Sequence, residues 1–262
     1  MDTSPEGIGS VFARKGEQRP ANCPEHGPYT AVNILRNVWT GCKACEEARR
    51  AVQAAEDAER QRRRAEEQHR ALLASAAIPQ RFIGRTFENF STPTERHAHA
   101  LAVCRDYAES FAEQRRKGSG LILAGLPGTG KSHLAAALLQ RTLSDSVAYT
   151  TCLDMIRAVR DTWRRDSERS ETQVLAYLER LDLLVIDEVG MQYGTEGEQT
   201  IVFDVLDRRY REVKPTVILT NQDKAGLRDF VGERTFDRLV ETCRWVPFDW
   251  PSHRPQARRE AA

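Results

Sequence analysis

The chain has 262 residues, enough for one sizeable α/β core and a small accessory module. Hydrophobic residues make up 40% and charged residues 29%, which is a globular composition, and a formal net charge of +1 neither favours nor excludes a nucleic-acid partner. No apolar run approaches the roughly 20 residues that a membrane-spanning helix needs, so the composition excludes a helical membrane protein.

The first 20 residues are rich in Gly, Ser, Pro and charged side chains, and we predict that residues 1–20 form a disordered lead. Asp2 and Glu6 lie at its beginning, without the apolar stretch of a secretory signal. We therefore expect a cytoplasmic location. In that compartment, six cysteines are expected to serve as thiols or metal ligands and not as disulfides.

Four potential metal ligands lie in residues 21–46. They form two pairs, Cys23-x₂-His26 and Cys42-x₂-Cys45, separated by a loop of 15 residues. This spacing is typical of tetrahedral zinc sites, and three thiolates favour Zn²⁺ over magnesium or calcium. We predict a structural zinc-binding module, with free thiols in a disordered segment as the alternative.

The segment 47–77 is dominated by Ala, Glu, Arg and Gln, a composition that strongly favours a helix. Glu59 and Glu67 each lie four residues from Arg63, so ion pairs along the helix surface are expected. Its apolar positions are mostly alanine, which favours a charged, solvated linker helix over a coiled coil. Pro79 ends it. Histidines predicted to be ordinary surface residues are His69, His97, His99 and His253.

From residue 78 to 254, short apolar runs alternate with helical patterns. Strands are predicted at Leu121–Ala124, Val147–Thr151, Leu183–Asp187, Thr216–Thr220 and Trp245–Phe248. Helices are predicted at His133–Leu143, Leu153–Trp163, Glu171–Leu181, Gln199–Arg211 and Leu227–Glu241. This alternation predicts an α/β domain in which a parallel sheet lies between helices. Residues 255–262 are predicted to form a disordered tail.

The first of these strands leads into GLPGTGKS, residues 125–132, which matches the phosphate-loop pattern G-x-x-x-x-G-K-[ST] at every position. Its glycines let backbone N–H groups turn towards phosphate oxygens, Lys131 reaches the β- and γ-phosphates, and Ser132 binds Mg²⁺. A chance glycine-rich turn is the alternative. Residues predicted to contact ATP here are Gly125, Pro127, Gly128, Thr129, Gly130, Lys131, Ser132 and His133.

A buried strand ends in Asp187 and Glu188, which we predict to hold Mg²⁺ and to polarise the attacking water, respectively. Two surface acids at a strand end are the alternative. Asn221 follows the next strand, and we expect it beside Asp187 at the carboxyl edge of the sheet, where ligands bind. There it could hydrogen-bond the γ-phosphate or the lytic water.

Two arginine groups allow two interpretations each. Arg234 and Arg238 lie four residues apart on one predicted helical face, where either could stabilise phosphoryl charge in a neighbouring subunit or form a solvated stripe. Leu153–Arg165 contains four arginines beside Trp163, which fits either a single-stranded DNA contact or a solvated helix face.

Taken together, these motifs resemble the DnaC-type helicase loaders over residues 78–254. The segments that carry the resemblance are Ile78–Phe82, Thr86–Phe90, Leu183–Gly190, Leu219–Asn221, Gly232–Arg234 with Asp237–Arg238, and the tryptophan-containing ending Trp245–Arg254. The CPxHG and GCxxC patterns are similar to the zinc module of many such loaders and their phage relatives. Pro251 departs from the ending, where the family often has an acidic residue.

The resemblance implies an AAA+ fold of the initiator clade, ATP hydrolysis, single-stranded DNA binding and delivery of the hexameric replicative helicase. It also implies assembly, either ATP-dependent self-assembly or assembly on the helicase ring. By motif, Asn221 matches the sensor, Arg238 the arginine finger and Arg254 a possible nucleotide sensor. The basic segment falls where initiator-type members insert a DNA-contacting helix, and the zinc module would be the helicase-binding end.

Two other functions fit the same motifs. An IstB-type transposition helper shares most of the ATPase motifs and acts on duplex DNA, but such helpers usually lack a zinc module. A nucleotide-switched adaptor with little turnover would work through protein contacts. Glu188 favours hydrolysis over this last function.

Overall fold

The computed structural model describes residues 14–35, 37–143, 146–191 and 195–253. The chain divides into two compact units, Met1–Gln68 and His69–Ala262. Arg254, the predicted tail and residues 1–13 of the predicted lead lie outside the described residues. Among the helices that are described, none combines the length and apolarity that crossing a membrane requires.

The first unit contains a three-stranded antiparallel meander that sequence analysis did not predict. Its strands are β1 (Gln18–Cys23), β2 (Gly27–Leu35) and β3 (Val38–Trp39). The prediction of a disordered lead up to residue 20 is wrong at its end, because Gln18 pairs with Val32 and the ladder continues to Cys23 opposite Gly27. Gly27 has a φ of +79°, which the tight β1–β2 turn requires.

The long helix α1 runs over Lys43–Ser75, and none of its residues is buried. Ion pairs four residues apart, such as Arg62 with Glu66 at 3.5 Å, lie along its surface. The division between the two units falls within this helix, after Gln68.

The second unit is built on a parallel sheet with the strand order β5-β6-β7-β4-β8. The strands are β4 (Gly120–Gly125), β5 (Val147–Thr151), β6 (Leu183–Val189), β7 (Thr216–Thr220) and β8 (Cys243–Phe248). The helices are α2 (Glu95–Glu109), α3 (Phe111–Lys117), α4 (Lys131–Arg141), α5 (Cys152–Asp161), α6 (Glu171–Arg180), α7 (Glu196–Arg211), α8 (Lys224–Val231) and α9 (Glu233–Thr242).

Successive residues of a strand point to opposite sides of the sheet, and helices cover both sides. In β4, Leu121 and Leu123 pack in one apolar cluster with α2 and α4. Ile122 and Ala124 pack in the other cluster, with residues of α5 to α9. The predicted fold class, a parallel sheet between helices, is confirmed.

Local chemistry explains where the helices differ from their predicted bounds. The helix predicted at Leu227–Glu241 is divided into α8 and α9 at Gly232, whose φ of +82° a helix cannot contain. The helix predicted to extend to Trp163 ends at Asp161. Helix α7 begins earlier than predicted, at Glu196, because Thr195 and Glu198 form a capping box.

Candidate nucleotide and metal sites

The phosphate-loop sequence connects β4 to α4, in the strand–loop–helix context that the motif requires. Gly128 and Gly130 have φ values of +79° and +98°. The Lys131 side chain lies within the loop, where Nζ donates to the carbonyl oxygens of Gly125 and Leu126 at 2.6 and 2.9 Å. The loop therefore has the curled backbone and the inward lysine that bind phosphate groups.

Two of the loop glycines are also required by close packing. A Cβ atom at Gly130 would lie 2.7 Å from the ring of Phe90, and one at Gly125 would overlap the carbonyl oxygen of Phe248. Larger residues would push the loop away from the segments behind it.

Aromatic side chains from distant parts of the sequence support the loop. Trp250 Nε1 donates to the Thr129 carbonyl at 3.0 Å, and the ring of His97 stacks on Trp250 with centroids 4.1 Å apart. The prediction that His97 is an ordinary surface residue is therefore wrong, and its pKa is lowered by partial burial and then by His253. Sequence analysis did not identify this support, although Trp250 lies in the ending that carries the family resemblance.

His133 follows the phosphate-loop motif and was predicted to contact ATP. Its Nε2 lies 2.9 Å from the Thr86 carbonyl oxygen, and its ring meets Phe90 edge-on at 5.2 Å between centroids. Burial lowers its pKa. The imidazole thus contacts the segment that precedes α2, and its contribution to ATP binding stays a prediction.

Asp187 lies near the carboxyl end of β6, next to the start of α4. Its Oδ2 accepts hydrogen bonds from Ser132 Oγ at 2.8 Å and from the Tyr149 hydroxyl, and its Oδ1 accepts from the Glu188 N–H at 2.7 Å. A carboxylate beside a hydroxyl supplies the oxygen ligands that Mg²⁺ prefers. Ser132 and Asp187, distant in the sequence, are therefore placed together in a way that fits this ion.

Glu188 occupies a backbone conformation that a non-glycine residue rarely adopts. Its φ is +60°, and the register between β6 and β7 shifts between Ile186 and Val189. Such a bulge redirects a side chain at the end of a strand, and strained positions of this kind occur at functional sites. The Glu188 side chain is exposed at the carboxyl edge of the sheet.

Strand order explains how Asn221 comes to this edge. β7, which precedes Asn221, lies between β4 and β6, the strands that lead to the phosphate loop and to Asp187. Its Nδ2 contacts Met191 Sδ at 3.5 Å, just beyond the end of β6. The predicted neighbourhood of Asn221 and the acidic pair thus follows from the topology, while the role of Asn221 as a sensor stays a prediction.

The two candidate finger arginines have different surroundings on α9. Arg238 forms an ion pair with Asp207 and lies over the Tyr210 ring at 4.7 Å, with its side chain 20% exposed. Arg234 is exposed and lies 5.9 Å from the centre of the Phe203 ring. Arg238 would have to leave Asp207 before it could reach a neighbour's nucleotide.

The basic segment around α5 is largely paired with acids. Arg157, Arg160 and Arg164 lie within 4 Å of the carboxylates of Asp154, Glu198 and Asp166, respectively. Trp163 is 59% exposed. We expected Arg157, Arg160 and Arg164 to share one helical face, but α5 ends at Asp161, so Arg164 and Arg165 lie beyond the helix.

The four predicted zinc ligands converge in the first unit, where their donor atoms all lie within 4.8 Å of one another. Cys45 Sγ lies 3.4 Å from Cys23 Sγ and 3.2 Å from His26 Nδ1. In a tetrahedral site with Zn–S bonds of about 2.3 Å, sulfur atoms are roughly 3.8 Å apart. Together with Cys42, this donor set fits zinc in both chemistry and spacing.

The protonation of these thiols is uneven. The pKa of Cys23 is lowered to about 6, mainly by the hydrogen bond between Cys23 and His26. The pKa of Cys45 is raised to about 12, mainly by the hydrogen bond between Cys45 and Cys23. Metal ligation requires deprotonated thiols, so a divalent cation that binds to this cluster would displace the proton of Cys45.

The model of the family described as "IstB-like ATP binding protein" matches residues 44–261 of the chain. The chain belongs to this family of ATP-binding proteins, and it is an ATPase. Cys23, His26 and Cys42 precede the matched range.

Among curated proteins, the chain is similar to the replicative helicase loader DnaC of Escherichia coli K12, with 39% identity over 172 residues. That match covers 64% of this chain and 69% of the relative. DnaC of Buchnera aphidicola subsp. Baizongia pistaciae is 32% identical over 186 residues, covering 70% and 74%. The DnaC-type resemblance read from the motifs is confirmed.

Among solved structures, the chain is similar to a crystal structure of the DnaC helicase loader, with a TM-score of 0.58 and 22% identity. The match covers 64% of this chain and 98% of that one. At this identity the comparison supports the fold alone, and the fold is the one expected from the AAA+ resemblance.

Proposed function

We propose that this protein is an ATP-dependent loader that binds a hexameric replicative helicase and delivers it onto single-stranded DNA. The observation that carries this proposal is an assembled ATPase site in a chain that is 39% identical to a replicative helicase loader. ATP binding would tighten the contact with DNA, and hydrolysis would release the loader from the helicase.

The ATP-binding step assigns a role to each side chain around the loop. Lys131 would exchange its bonds to the loop carbonyls for bonds to the β- and γ-phosphates, while Ser132 and Asp187 would hold Mg²⁺. The ion would neutralise charge on the phosphate oxygens when bound. The backbone N–H groups of the loop and the start of α4 favour the same charge.

The hydrolysis step uses the residues at the carboxyl ends of β6 and β7. Glu188 takes a proton from the attacking water as general base, and Asn221 orients that water or the γ-phosphate. In an assembled ring, Arg238 of one copy leaves Asp207 and stabilises phosphoryl charge in the site of its neighbour. Arg254 is the proposed nucleotide sensor by motif alone.

DNA binding is assigned to the segment that contains α5 and the turn after it. The exposed Trp163 ring offers a surface for base stacking, and the arginines around it would exchange carboxylate partners for phosphates. This exchange predicts steep salt dependence. Fluorescence anisotropy with labelled single-stranded DNA, with and without ATP, tests it.

The zinc module is the proposed docking end for the helicase. To test this, the full-length protein is mixed with the replicative helicase of its host, and complexes are measured by size exclusion with light scattering. A stable complex that survives Lys131→Ala but is lost in Cys42→Ser supports docking through the first unit. Cys104→Ser, a buried cysteine outside the cluster, is the matched control and should retain the complex.

The family match itself favours one other function, that of an IstB-type transposition helper acting on duplex DNA. The same preparation distinguishes the two. Absence of a helicase complex together with ATP-dependent filaments on duplex DNA would contradict the loader and support the helper.

A further inference from the structure

Tyr149 is a buried residue of β5 that sequence analysis did not connect with the ATP site. It pairs with Val185 on β6, and Asp187 lies two residues further along the same side of that strand. The tyrosine side chain therefore runs beneath α4 towards the carboxyl edge of the sheet. There its hydroxyl donates to Asp187 Oδ2.

The same carboxylate oxygen also accepts from Ser132 Oγ. In the proposed site, the Ser132 oxygen has a second task, because it becomes a ligand of Mg²⁺. The Tyr149 hydroxyl has no such competing task. A phenolic hydroxyl ordinarily has a pKa of about 10, so at neutral pH it keeps its proton and stays a donor.

Burial, a ring contact and a backbone hydrogen bond fix the position of the tyrosine. Its side chain is in the apolar core with the residue only 3% exposed, its ring lies 6.3 Å from that of Phe82, and its N–H donates to the Ala76 carbonyl at 2.8 Å. A donor held in one position by packing and backbone bonding can in turn hold its acceptor.

Tyr107 shows what an ordinary buried tyrosine looks like in the same apolar cluster. It is 5% exposed, and its hydroxyl donates to the Ser119 carbonyl at 2.7 Å. Burial requires a partner for either hydroxyl. The acceptor distinguishes the two residues, because the partner of Tyr149 is the carboxylate next to the phosphate loop.

We propose that Tyr149 is a positioning residue for Mg²⁺-ATP, whose hydroxyl holds the Asp187 carboxylate in the orientation in which Asp187 and Ser132 receive the ion. The inference rests on the Mg²⁺ role of Asp187 in the proposed function. Groups that orient a metal ligand typically change metal affinity or activity by about 10- to 100-fold when they are removed.

The test compares Tyr149→Phe with Tyr107→Phe in the full-length protein. Binding of a fluorescent ATP analogue is measured in EDTA and across a Mg²⁺ titration, and kcat and KM are measured at saturating Mg²⁺. In Tyr149→Phe we expect unchanged binding in EDTA, a roughly 10-fold higher Mg²⁺ concentration for the half-maximal response and a lower kcat. Tyr107→Phe should match the wild type in all of these.

Tyr149→Met, which also lacks the hydroxyl, is the second variant, and circular dichroism verifies that each variant is folded. A wild-type Mg²⁺ response in both Tyr149→Phe and Tyr149→Met, when both are folded, overturns the inference. Asp187→Asn tests the Mg²⁺ role of Asp187 separately from the role of Tyr149. If Asp187→Asn loses the Mg²⁺ response while Tyr149→Phe keeps it, only the role of Tyr149 is wrong. If Asp187→Asn also responds normally, the Mg²⁺ assignment fails and the inference with it.

Discussion

Within residues 14–68, the buried side chains that the structure describes are those of Cys23, Ala31, Asn33 and Cys42. Two of these four, Cys23 and Cys42, are predicted zinc ligands. In residues 69–262, by contrast, two large apolar clusters cover the two faces of a parallel sheet. The first unit has too little apolar burial to offset the conformational entropy of folding, whereas the second has a core of ordinary size.

The contrast teaches that one chain can contain two different sources of stability. In the first unit, metal binding and folding are expected to be one event, as they are in small zinc modules. In the second unit, the core supports the sheet edge on which the predicted ATP-site residues lie, so we expect that substitutions at these residues leave the unit folded.

The largest effect is expected from Cys42→Ser. Structural zinc contributes on the order of 10 kcal/mol to small modules, so loss of one ligand should unfold the first unit. Bound zinc, measured by mass spectrometry of the purified protein, should fall to background, while the ATPase rate of the second unit persists. Cys104→Ser should keep its zinc. Full zinc content in Cys42→Ser would show that the ligand set is wrong.

A large effect on turnover, without an effect on folding, is expected from Glu188→Gln. Removal of a general base lowers the hydrolysis rate by roughly 10²- to 10⁴-fold, while Lys131 and Asp187 still bind ATP. Steady-state turnover and nucleotide affinity are measured in parallel, together with zinc content, which should not change. Glu196→Gln, an exposed glutamate on α7, is the control. Wild-type turnover in Glu188→Gln would remove Glu188 from the mechanism.

Much of the second unit could be predicted from the sequence because its signals are local. Apolar runs give the strands, and the phosphate loop and Asp187 belong to short motifs in a recognisable order. Strand β5 was predicted at its observed bounds, Val147–Thr151. The fold class follows from that alternation, and the site follows from the fold because parallel strands share one carboxyl edge.

What could not be predicted depends on contacts between distant residues. Tyr149 and Asp187 are 38 positions apart, and Trp250 and Thr129 are 121 apart. No spacing rule connects such pairs, since they meet only after the sheet has formed. The meander of the first unit was missed for another reason: its strands are mostly exposed and partly polar, and the predicted zinc ligands dominate the pattern.

A smaller but still clear effect is expected from Arg209→Met, which removes a charged group from the core of the second unit. Arg209 is fully buried and has its pKa lowered to about 9 by burial. Its guanidinium donates to one hydroxyl and four carbonyl oxygens, those of Thr216, Leu178, Glu179, Leu181 and Pro215. Loss of these five hydrogen bonds from buried acceptors should lower the free energy of unfolding by at least about 3 kcal/mol.

The matched control for this change is the adjacent Arg208→Met. Arg208 is partly exposed and pairs with Asp204 at 2.8 Å and Glu179 at 3.5 Å, and pairs of this kind contribute about 0–1 kcal/mol. Urea unfolding followed by circular dichroism measures both variants. If both variants lose the same free energy of unfolding, the hydrogen bonds of Arg209 stabilise the protein no more than a surface ion pair does.

The smallest effect concerns the pH dependence of the second unit. Partial burial, and then the charge of His253, lowers the pKa of His97 in the folded state. The unfolded chain therefore binds a proton first as pH falls, so the stability that His97 contributes is present above its unfolded pKa of about 6.5 and is lost below it. Between pH 7.5 and 5.5, the urea midpoint should fall less in His97→Gln than in the wild type. We expect the corresponding difference in the free energy of unfolding to be below about 1 kcal/mol, because solvent screens a partly exposed group. His99→Gln, a change at an exposed residue of the same helix, is the control and should show the pH dependence of the wild type. If the urea midpoint of His97→Gln changes with pH as much as that of the wild type, the stack on Trp250 does not depend on the charge of the imidazole.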